Sequence, residues 1–381
     1  MLTLSGCETR RQRLFDRVTN VDWIVIPDPA SLVYFANFCP SPFVFNSQGA
    51  AALLLLGRDG SAVLVADNAQ EPFAKTAHVT ETIAPVWYRC IESAGHRRAL
   101  LVDAAAKQLT ARGVQEFGYE AASCPAELIE TLAVAGRRPA LVNIDPVVSG
   151  LRACKDLDEM AALRRAIRAA EAGFAAGLAD IRPGMTELDA YRVVCDAAQR
   201  QAGCQVLVYG DFVSGPRCEQ GGGPPSSRVI EPGDLVLLDF SVVIDGYRGD
   251  FANTFVCAGQ ATQRQREMFE ACVEAMRAGE DTLRAGVPAK NVHRAVRESF
   301  ALRQLDKHFP HHTGHGIGLG HPEAPFLVPE SCDTLAVGNV LTIEPGLYVP
   351  GIGGMRYERN YLITKDGFET LTHHQITIDQ P

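Results

Sequence analysis

The chain has 381 residues, which exceeds one ordinary domain and makes two domains the natural expectation. Its formal net charge of −9 argues against the basic surface that a nucleic-acid-binding protein needs, so no nucleic-acid partner is expected. The longest apolar run, Ala50 to Leu56, is too short to span a bilayer, so no membrane insertion is expected either.

Two features of the sequence favour a cytoplasmic location. The eleven cysteines are scattered without a Cys-x-x-Cys pair, and their odd number and irregular spacing indicate reduced thiols rather than a disulfide framework. The N-terminal stretch MLTLSGCETRRQRLF also lacks the apolar segment of a secretory signal peptide.

Residues 1–150 alternate short β-rich runs with helical patterns, which is typical of an α/β layer domain. A helix is predicted from Ala126 to Ala133. Four segments are predicted to be strands, namely Trp23 to Ile26, Ala51 to Leu56, Ala62 to Ala66 and Ala99 to Val102.

From residue 151 onward the pattern predicts two helices and a hairpin, followed by two more helices and a second hairpin. The first helix presents an apolar face that begins at Leu157, and His293 on the fourth helix is expected at the surface. Each helix start carries an N-terminal signal: Asp156 with Glu159, Thr186 with Asp189, Thr262 with Gln265, and Pro288 in the first turn of the fourth.

Four acidic residues and one histidine have the spacing that a two-metal site needs. Asp239 and Glu344 each end an apolar run that reads as a buried strand. A carboxylate buried without a partner is costly, so a strand that delivers one into a core usually places it beside a cation. Asp250 and Glu358 follow eleven and fourteen residues later, and His315 lies between the two pairs in HHTGHGIGLG.

The two acidic segments look like copies of one unit. The run GDLVLLD ends at Asp239 and matches GNVLTIE, which ends at Glu344; further on, the RGD of residues 248–250 matches the RYE of residues 356–358. A duplicated hairpin with a pseudo-twofold axis would bring the four carboxylates to one centre. Carboxylates suit hard divalent ions, and one imidazole shifts the preference toward Mn, Fe, Co or Zn.

These blocks resemble the pita-bread metallohydrolase superfamily, which includes Xaa-Pro aminopeptidase, prolidase and creatinase. DFSVVIDGYRGDFANTF is similar to its first acidic block, GHGIGLGHPEAP to its histidine block and EPGLYVPGIGGMRYE to its glutamate block. The resemblance implies an α+β fold. Residues 151–381 would form a pita-bread catalytic domain with pseudo-twofold duplicated halves, preceded over residues 1–150 by an α/β creatinase-like N-terminal domain.

By position, the resemblance also implies a cofactor and a partner. Asp239, Asp250, His315, Glu344 and Glu358 would be the ligands of two divalent metal ions, with manganese expected first and cobalt, iron or zinc as alternatives. In such families the N-terminal domain closes the active site of a neighbouring subunit, so a homodimer is expected.

The expected substrate pocket departs from the family pattern at three positions. The histidine that follows the GHGIG motif in the family is Pro322 here, although His321 lies one residue earlier and a loop shift would let it serve. Gly222 stands where the family has a histidine on the loop before the first metal strand, and Asn253 replaces an arginine. Because proline restricts the residue before it, His321 is expected to substitute only in part, and ordinary Xaa-Pro dipeptides are expected to be poor substrates.

Two further histidines precede the metal histidine. His311, four residues before His315, matches a second histidine seen in the Xaa-Pro branch of the family. His312 is expected to point elsewhere, because neighbouring residues of an extended segment face opposite sides.

Together these features predict a dinuclear metal-dependent hydrolase, an Xaa-Pro-type dipeptidase or aminopeptidase that uses a metal-bridging hydroxide on a small peptide. Glu344 is the expected proton shuttle, and His321 or His311 the expected donor to the oxyanion. Two alternatives stay open. One is a hydrolase or lyase of a small non-peptide metabolite, which the missing histidines favour; the other is a non-catalytic binding protein.

Overall fold

The computed structural model describes residues 1–39, 52–134 and 139–380. Contacts within the chain divide it into two compact units, Met1–Arg152 and Ala153–Pro381. Within the described ranges, no helix combines the length and the hydrophobicity that crossing a bilayer requires. All eleven cysteines lie in these ranges, and no disulfide joins any two of them there.

The first unit is built on a six-stranded mixed sheet. Its strands are β1 (Trp23–Ile26), β2 (Leu53–Gly57), β3 (Ala62–Val65), β4 (Glu81–Ile83), β5 (Glu116–Tyr119) and β6 (Ala140–Asn143). Its helices are α1 (Leu4–Arg17), α2 (Pro29–Ala36), α3 (Glu71–Ala74), α4 (Arg97–Ala111), α5 (Ala126–Val134) and α6 (Asp145–Ala153). The strand order is β4-β3-β2-β1-β5-β6, with β1 antiparallel to β2 and parallel to β5. The apolar residues of α4 and α5 pack against the sheet.

Three of the predicted elements in this unit are confirmed, namely the strand Trp23–Ile26, the strand that begins at Ala62 and the helix that begins at Ala126. The strand predicted from Ala51 is observed as Leu53–Gly57, and Ala51 itself lies outside the described residues.

The strand predicted from Ala99 to Val102 is wrong, because these residues lie in α4. The side chain of His96 accepts a hydrogen bond from the backbone N–H of Ala99 and so caps the helix. Leu101, Ala105 and Leu109 are buried at the helical spacing of four, so the apolar run is part of one helix face.

Glu120 is a buried acid in this unit that bears on stability. Its carboxylate accepts hydrogen bonds from the Ser31 hydroxyl and from the backbone N–H of Asp28, the latter at 3.1 Å. Burial raises the pKa of Glu120 to about 7, against the lowering effect of the bond from Ser31.

We therefore expect a pH-dependent contribution of Glu120 to stability. The folded state binds this proton more tightly than the unfolded chain, whose pKa is near 4.5, so the contribution is full below pH 4.5 and is lost as the pH rises through about 7. The glutamine of Glu120→Gln cannot ionise, so the variant lacks this loss of stability. Between pH 4.5 and 7.5, the free energy of unfolding should therefore fall by roughly 2 to 3 kcal/mol more in the wild type than in Glu120→Gln. Urea unfolding at pH 4.5 and 7.5 measures the difference, and identical pH profiles would contradict it.

The second unit repeats one order of elements. Its helices are α7 (Leu157–Asp180), α8 (Glu187–Ala202), α9 (Gln263–Glu280) and α10 (Ala289–Leu302). The strands between the helix pairs are β7 (Leu207–Ser214), β8 (Leu235–Ile244) and β9 (Tyr247–Val256). The strands after α10 are β10 (Gly314–Gly316), β11 (Glu323–Leu327), β12 (Val340–Ile343), β13 (Gly346–Val349), β14 (Gly353–Arg356), β15 (Arg359–Thr364) and β16 (Gly367–Thr370). The predicted sequence of two helices followed by strands, occurring twice, is confirmed.

The helix starts follow the predicted signals. Capping boxes are present at Asp156, Thr186 and Thr262, each with the partner three residues on. Pro288 occupies the N-cap position of α10, one residue earlier than expected.

Two predictions on these helices are wrong. Leu157 is 91% exposed, because it opens α7 ahead of the buried stripe that begins at Met160. His293 is buried, because it lies beside Val292 and Val296 on the inner face of α10. Its Nδ1 lies 3.0 Å from the Thr313 hydroxyl, which satisfies the ring.

The two strand hairpins differ in one respect that positions the site. The strands β8 and β9 form one uninterrupted antiparallel hairpin, in a sheet of order β7-β8-β9. In the second half, β12 pairs with β15 and β13 pairs with β14, so the corresponding hairpin is interrupted on both of its arms. Glu344 lies in the first interruption and Glu358 in the second.

Candidate metal centre

Strand register places acidic side chains on one face of the β7-β8-β9 sheet. Asp239 in β8 pairs with Asp211 in β7, and Ser241 in β8 pairs with Asp250 in β9. Residues two apart on a strand share a face, and directly paired residues do so as well, so these four side chains lie together. The Ser241 hydroxyl donates to Oδ1 of Asp250 at 2.9 Å.

The interrupted hairpin supplies the remaining acids. The backbone N–H of Glu344 donates to the Thr313 carbonyl at 2.8 Å, and that of Glu358 donates to the Ala252 carbonyl at 2.9 Å. The backbone N–H of each acid thus forms its hydrogen bond outside its own hairpin, with a different segment of the chain. This exchange of partners brings the second pair of carboxylates to the acidic face of β8 and β9.

A cavity of about 300 Å³ lies where these elements meet. Its wall contains Tyr209, Gly210, Asp211, Asp239, Phe240, Ser241, Asp250, His312, His315, His321, Glu344, Arg356 and Glu358. The structure therefore brings together all five residues predicted to be metal ligands. Among the described residues, three groups of three have possible ligand atoms within 4.8 Å of one another, namely Asp239 with Asp250 and Glu358, Asp250 with His315 and His321, and Glu344 with His311 and His312.

His315 has the tautomer that a metal ligand requires. Its Nδ1 lies 3.0 Å from the Gly316 carbonyl, which can only accept, so the proton sits on Nδ1. The lone pair of Nε2 then faces the cavity, 4.0 Å from Oδ2 of Asp250 and 3.5 Å from Oε1 of Glu344. A backbone hydrogen bond that fixes the ring in this way is common among metal-binding histidines.

The buried carboxylates crowd together, and one of them lacks a partner for an oxygen. Glu358 is 2% exposed, and within the described part of the chain its Oε1 has no hydrogen-bond partner. Burial raises the pKa of Glu358 well above its ordinary value, and the charges of Asp250 and Glu344 add to this rise. Burial also raises the pKa of Asp239 to about 7, although Arg356 opposes the rise. Divalent cations would relieve these costs, so the donor set fits a metal centre.

The histidines around His315 differ from expectation in one case. His312 lines the cavity with its Nδ1 3.4 Å from Oε1 of Glu344, so the prediction that it points elsewhere is wrong. The segment before β10 is not a regular strand, and the alternation of faces therefore does not apply to it. The Nε2 of His311 lies 3.2 Å from the Tyr348 hydroxyl, and its Nδ1 lies 2.7 Å from the carbonyl of His312.

His321 reaches the cavity despite the proline that follows it. Its Nε2 lies 2.8 Å from Oδ2 of Asp250, and its ring meets that of His315 edge-on with centroids 4.9 Å apart. Pro322 occupies the position where the family pattern has a histidine, so that position provides no imidazole. The imidazole one residue earlier nevertheless lies against a predicted metal ligand.

Two charged residues of the cavity wall, Arg356 and Asp211, were not assigned a role from the sequence. Arg356 donates from Nη1 to Asp239 and from Nε to the Tyr348 hydroxyl, the latter at 2.9 Å. The signal for Arg356 was the duplicated Arg-x-acid pattern, in which it stands two residues before Glu358. Asp211 had no such signal, because only the register of β7 against β8 places it opposite Asp239.

Comparison with known proteins identifies the family of the chain. The sequence profile of the metallopeptidase family M24 matches residues 161–365, and that of the creatinase/prolidase N-terminal domain matches residues 10–154. The chain belongs to the metallopeptidase family M24. This membership confirms the superfamily and the fold class expected from the sequence, and a family of peptidases agrees with the predicted enzyme class.

Several uncharacterised peptidases are similar over most of the chain. An uncharacterised peptidase of Bacillus subtilis, YqhT, is 30% identical over 318 residues, which cover 83% of this chain and 88% of the relative. An uncharacterised peptidase of Staphylococcus aureus is 28% identical over 239 residues, which cover 61% of this chain and 66% of the relative, a little under two thirds.

Solved structures of peptidases share the fold over nearly the full length of the chain. An Xaa-Pro dipeptidase from Bacillus anthracis is 28% identical with a TM-score of 0.83, and the match covers 99% of each chain. A prolidase from Pyrococcus horikoshii OT3 is 25% identical with a TM-score of 0.81, covering 98% of this chain and 99% of the other.

Oε1 of Glu358, which has no hydrogen-bond partner among the described residues, yields a test of metal binding. Replacing Glu358 should stabilise the metal-free protein and weaken the stabilisation that a metal provides. In the metal-free protein at pH 8, Glu358→Gln should raise the unfolding temperature, because the native state then no longer has to bury a charge or bind a proton beside Asp239 and Asp250. In the wild type, Mn²⁺ at about 100 times its Kd should stabilise the fold by roughly 2.7 kcal/mol, and the variant should lose most of this gain.

Thermal unfolding with EDTA or with Mn²⁺, together with metal content by elemental analysis, measures both effects. Asp245→Asn is the matched control, since Asp245 lies in the β8–β9 turn and pairs with Arg165 at 3.0 Å. Equal metal stabilisation in the wild type and in Glu358→Gln would rule out Glu358 as a ligand.

Proposed function

We propose that the chain is an Xaa-Pro-type dipeptidase or aminopeptidase with two divalent metal ions held by Asp239, Asp250, His315, Glu344 and Glu358. The observation that carries this proposal is the convergence of these five donors on one cavity, where Oε1 of Glu358 is buried and has no hydrogen-bond partner among the described residues. Bound divalent ions would supply Lewis acidity, which polarises a scissile carbonyl and acidifies an attacking water. Manganese is the first choice for an oxygen-rich set with one imidazole, and cobalt, iron or zinc are alternatives.

Glu344 is the residue best placed to move a proton. The Thr342 hydroxyl donates to its Oε1 at 3.1 Å, and the rings of His312 and His315 approach the same oxygen. These contacts fix the carboxylate and leave Oε2 to accept a proton from water and to pass it to the leaving nitrogen. Although burial acts to raise the pKa of Glu344, the neighbouring His312 lowers it, which keeps the group ionised as a base.

Two imidazoles in the cavity can donate to a developing oxyanion. His321 stands beside Asp250, and His312 stands beside Glu344. The ring of His311 instead contacts the Tyr348 hydroxyl, which also accepts a hydrogen bond from Arg356. His311 would therefore act on the reaction only indirectly, by positioning Tyr348 and Arg356. His321 is therefore the first candidate for the oxyanion donor.

Replacing Glu344 by glutamine tests the proton-transfer role. Glu344→Gln should lower kcat on an Xaa-Pro dipeptide by about two to four orders of magnitude while KM changes little, because the amide keeps the shape but cannot carry the proton. Metal content is measured on the same samples, so that a lost ligand is told apart from a lost base. A variant with both its metals and near-normal kcat would contradict the role.

Replacing His321 decides whether this residue serves in place of the histidine missing at Pro322. His321→Ala should lower kcat by about two to four orders of magnitude, the scale for losing an oxyanion donor. His373→Ala is the matched control, because this imidazole is exposed. A loss of about three- to a hundredfold, with weak cleavage of Xaa-Pro dipeptides by the wild type, would instead support the partial substitution expected from the proline. A loss below about threefold would contradict any role of His321 in the reaction.

One observation favours a second candidate, a hydrolase or lyase of a small non-peptide metabolite. A glycine, Gly222, stands on the cavity loop where the family pattern has a histidine, and the carboxylate of Asp211 fills the adjacent space. A panel of Xaa-Pro dipeptides, longer Xaa-Pro peptides and N-substituted small amides separates the two candidates by their kcat/KM. The homodimer and the intracellular location stay predictions.

A further inference from the structure

Asp211 is a carboxylate of the cavity wall that stands outside the groups of possible metal donors. It lies in β7 directly opposite Asp239, and its side chain is 30% exposed, compared with 13% for Asp239. Like charges directly opposite each other on a sheet are destabilising. This part of the cavity therefore requires positive charge.

Arg356 supplies one positive charge, but it is fully engaged. Its Nε donates to the Tyr348 hydroxyl, its Nη1 to Asp239, and its Nη2 to the Gly221 carbonyl, while Nη2 also lies 3.5 Å from Oδ2 of Asp211. All three nitrogens have partners, so Arg356 is not free to bind an anionic end of a substrate. The contact of Arg356 with Asp211 is longer than its contact with Asp239, so the charge of Asp211 is neutralised less than that of Asp239.

The loop of residues 221–223 is shaped around the Asp211 carboxylate. The N–H of Gly223 donates to its Oδ1 at 2.8 Å. A Cβ at Gly222 would lie 2.0 Å from its Oδ2, and Gly222 has a φ of +156°, so a side chain at this position would displace the acid. Within the described part of the chain, Gly223 and Arg356 are the polar partners of Asp211, and the carboxylate retains acceptor positions that face the cavity.

The charges of the cavity point to a cationic substrate group. Its wall has five carboxylates and one guanidinium, and two divalent ions would bring the formal charge to zero. A carboxylate on a substrate would then meet no surplus positive charge. A charged amine would meet Asp211, which none of the possible metal groups uses.

We propose that Asp211 is a specificity-determining residue that binds a positively charged amino group of the substrate. The substrate class is an amide or peptide whose free amine lies near the scissile bond, and a terminal carboxylate is not required. This inference rests on the proposed function, because it assigns the substrate of the same cavity. A charge-assisted hydrogen bond of this kind changes binding by about tenfold or more.

Three compounds that differ only at their ends test this specificity. They are glycylproline, its C-terminal amide, and the N-acetylated form of that amide. The wild type should cleave the first two within about threefold of each other and the acetylated compound at least tenfold less well. In Asp211→Asn the preference for the free amine should shrink about tenfold, while the side chain keeps its size and can still accept from Gly223.

Two further variants separate charge from structure. Asp245→Asn removes one negative charge from the β8–β9 turn outside the cavity and should keep the wild-type preference. Gly222→Ala should displace the Asp211 carboxylate and weaken the preference as Asp211→Asn does. An unchanged preference in Asp211→Asn would overturn the proposal.

A binding measurement decides the matter even where no compound is cleaved. Glycinamide and N-acetylglycinamide are titrated calorimetrically into the metal-loaded wild type and Asp211→Asn. The wild type should bind the charged glycinamide at least tenfold more tightly than the acetylated form, and the variant should not. Equal binding in the wild type overturns the role of Asp211, whereas absent cleavage with selective binding overturns only the proposed peptidase reaction.

Discussion

The structure of the second unit depends on how it tolerates five carboxylates around one cavity. Three of them, Asp250, Glu344 and Glu358, are almost completely buried, and their mutual repulsion adds to the cost of removing them from water. Arg356 offsets this cost on one side of the cavity, beside Asp239 and Asp211. On the other side the described residues place imidazoles beside the carboxylates, and bound divalent cations would compensate the remaining negative charge.

The two hairpins that carry these carboxylates differ in their strand pairing. The β8–β9 hairpin is continuous, and its acids project from one face by simple alternation. The second hairpin is interrupted at Glu344 and Glu358, whose backbone N–H groups bond to the segment before β10 and to β9. A continuous second hairpin would have kept those N–H groups within its own ladder. The interruption at Glu358 thus joins the two halves of the unit through β9, and the interruption at Glu344 joins the second hairpin to the segment before β10.

The sequence was sufficient for features that depend on local patterns. The capping boxes at Asp156, Thr186 and Thr262 were readable because a cap and its partner lie three residues apart. Asp239 and Glu344 were readable because each ends an apolar run. The run from Ala99 to Val102 failed for a related reason, since a short apolar segment alone does not separate a strand from one face of a helix.

Features that depend on contacts between distant parts of the chain could not be predicted from local sequence patterns. Asp211 enters the cavity because of the register of β7 against β8, and a slip of one residue would have turned it to the opposite face. His312 enters the cavity because the segment before β10 is irregular. His293 is buried because the Thr313 hydroxyl, twenty residues away, satisfies its ring. In each case the deciding partner is distant in sequence.

The duplicated Arg-x-acid pattern shows where the two halves diverge. Arg356 turns toward the acids, whereas Arg248 donates to the Tyr209 hydroxyl and to the Leu319 carbonyl, the latter at 3.2 Å. Tyr209 stands two residues before Asp211 on β7, so both face the cavity, and the ring of Tyr209 meets that of His321 edge-on. One copy of the pattern therefore neutralises the centre, and the other fixes an aromatic side chain in the cavity wall. Since the same strand carries Tyr209 and Asp211, a substrate amine held by Asp211 would place its adjoining apolar group against that ring, and this half of the cavity would then set the orientation of the scissile bond.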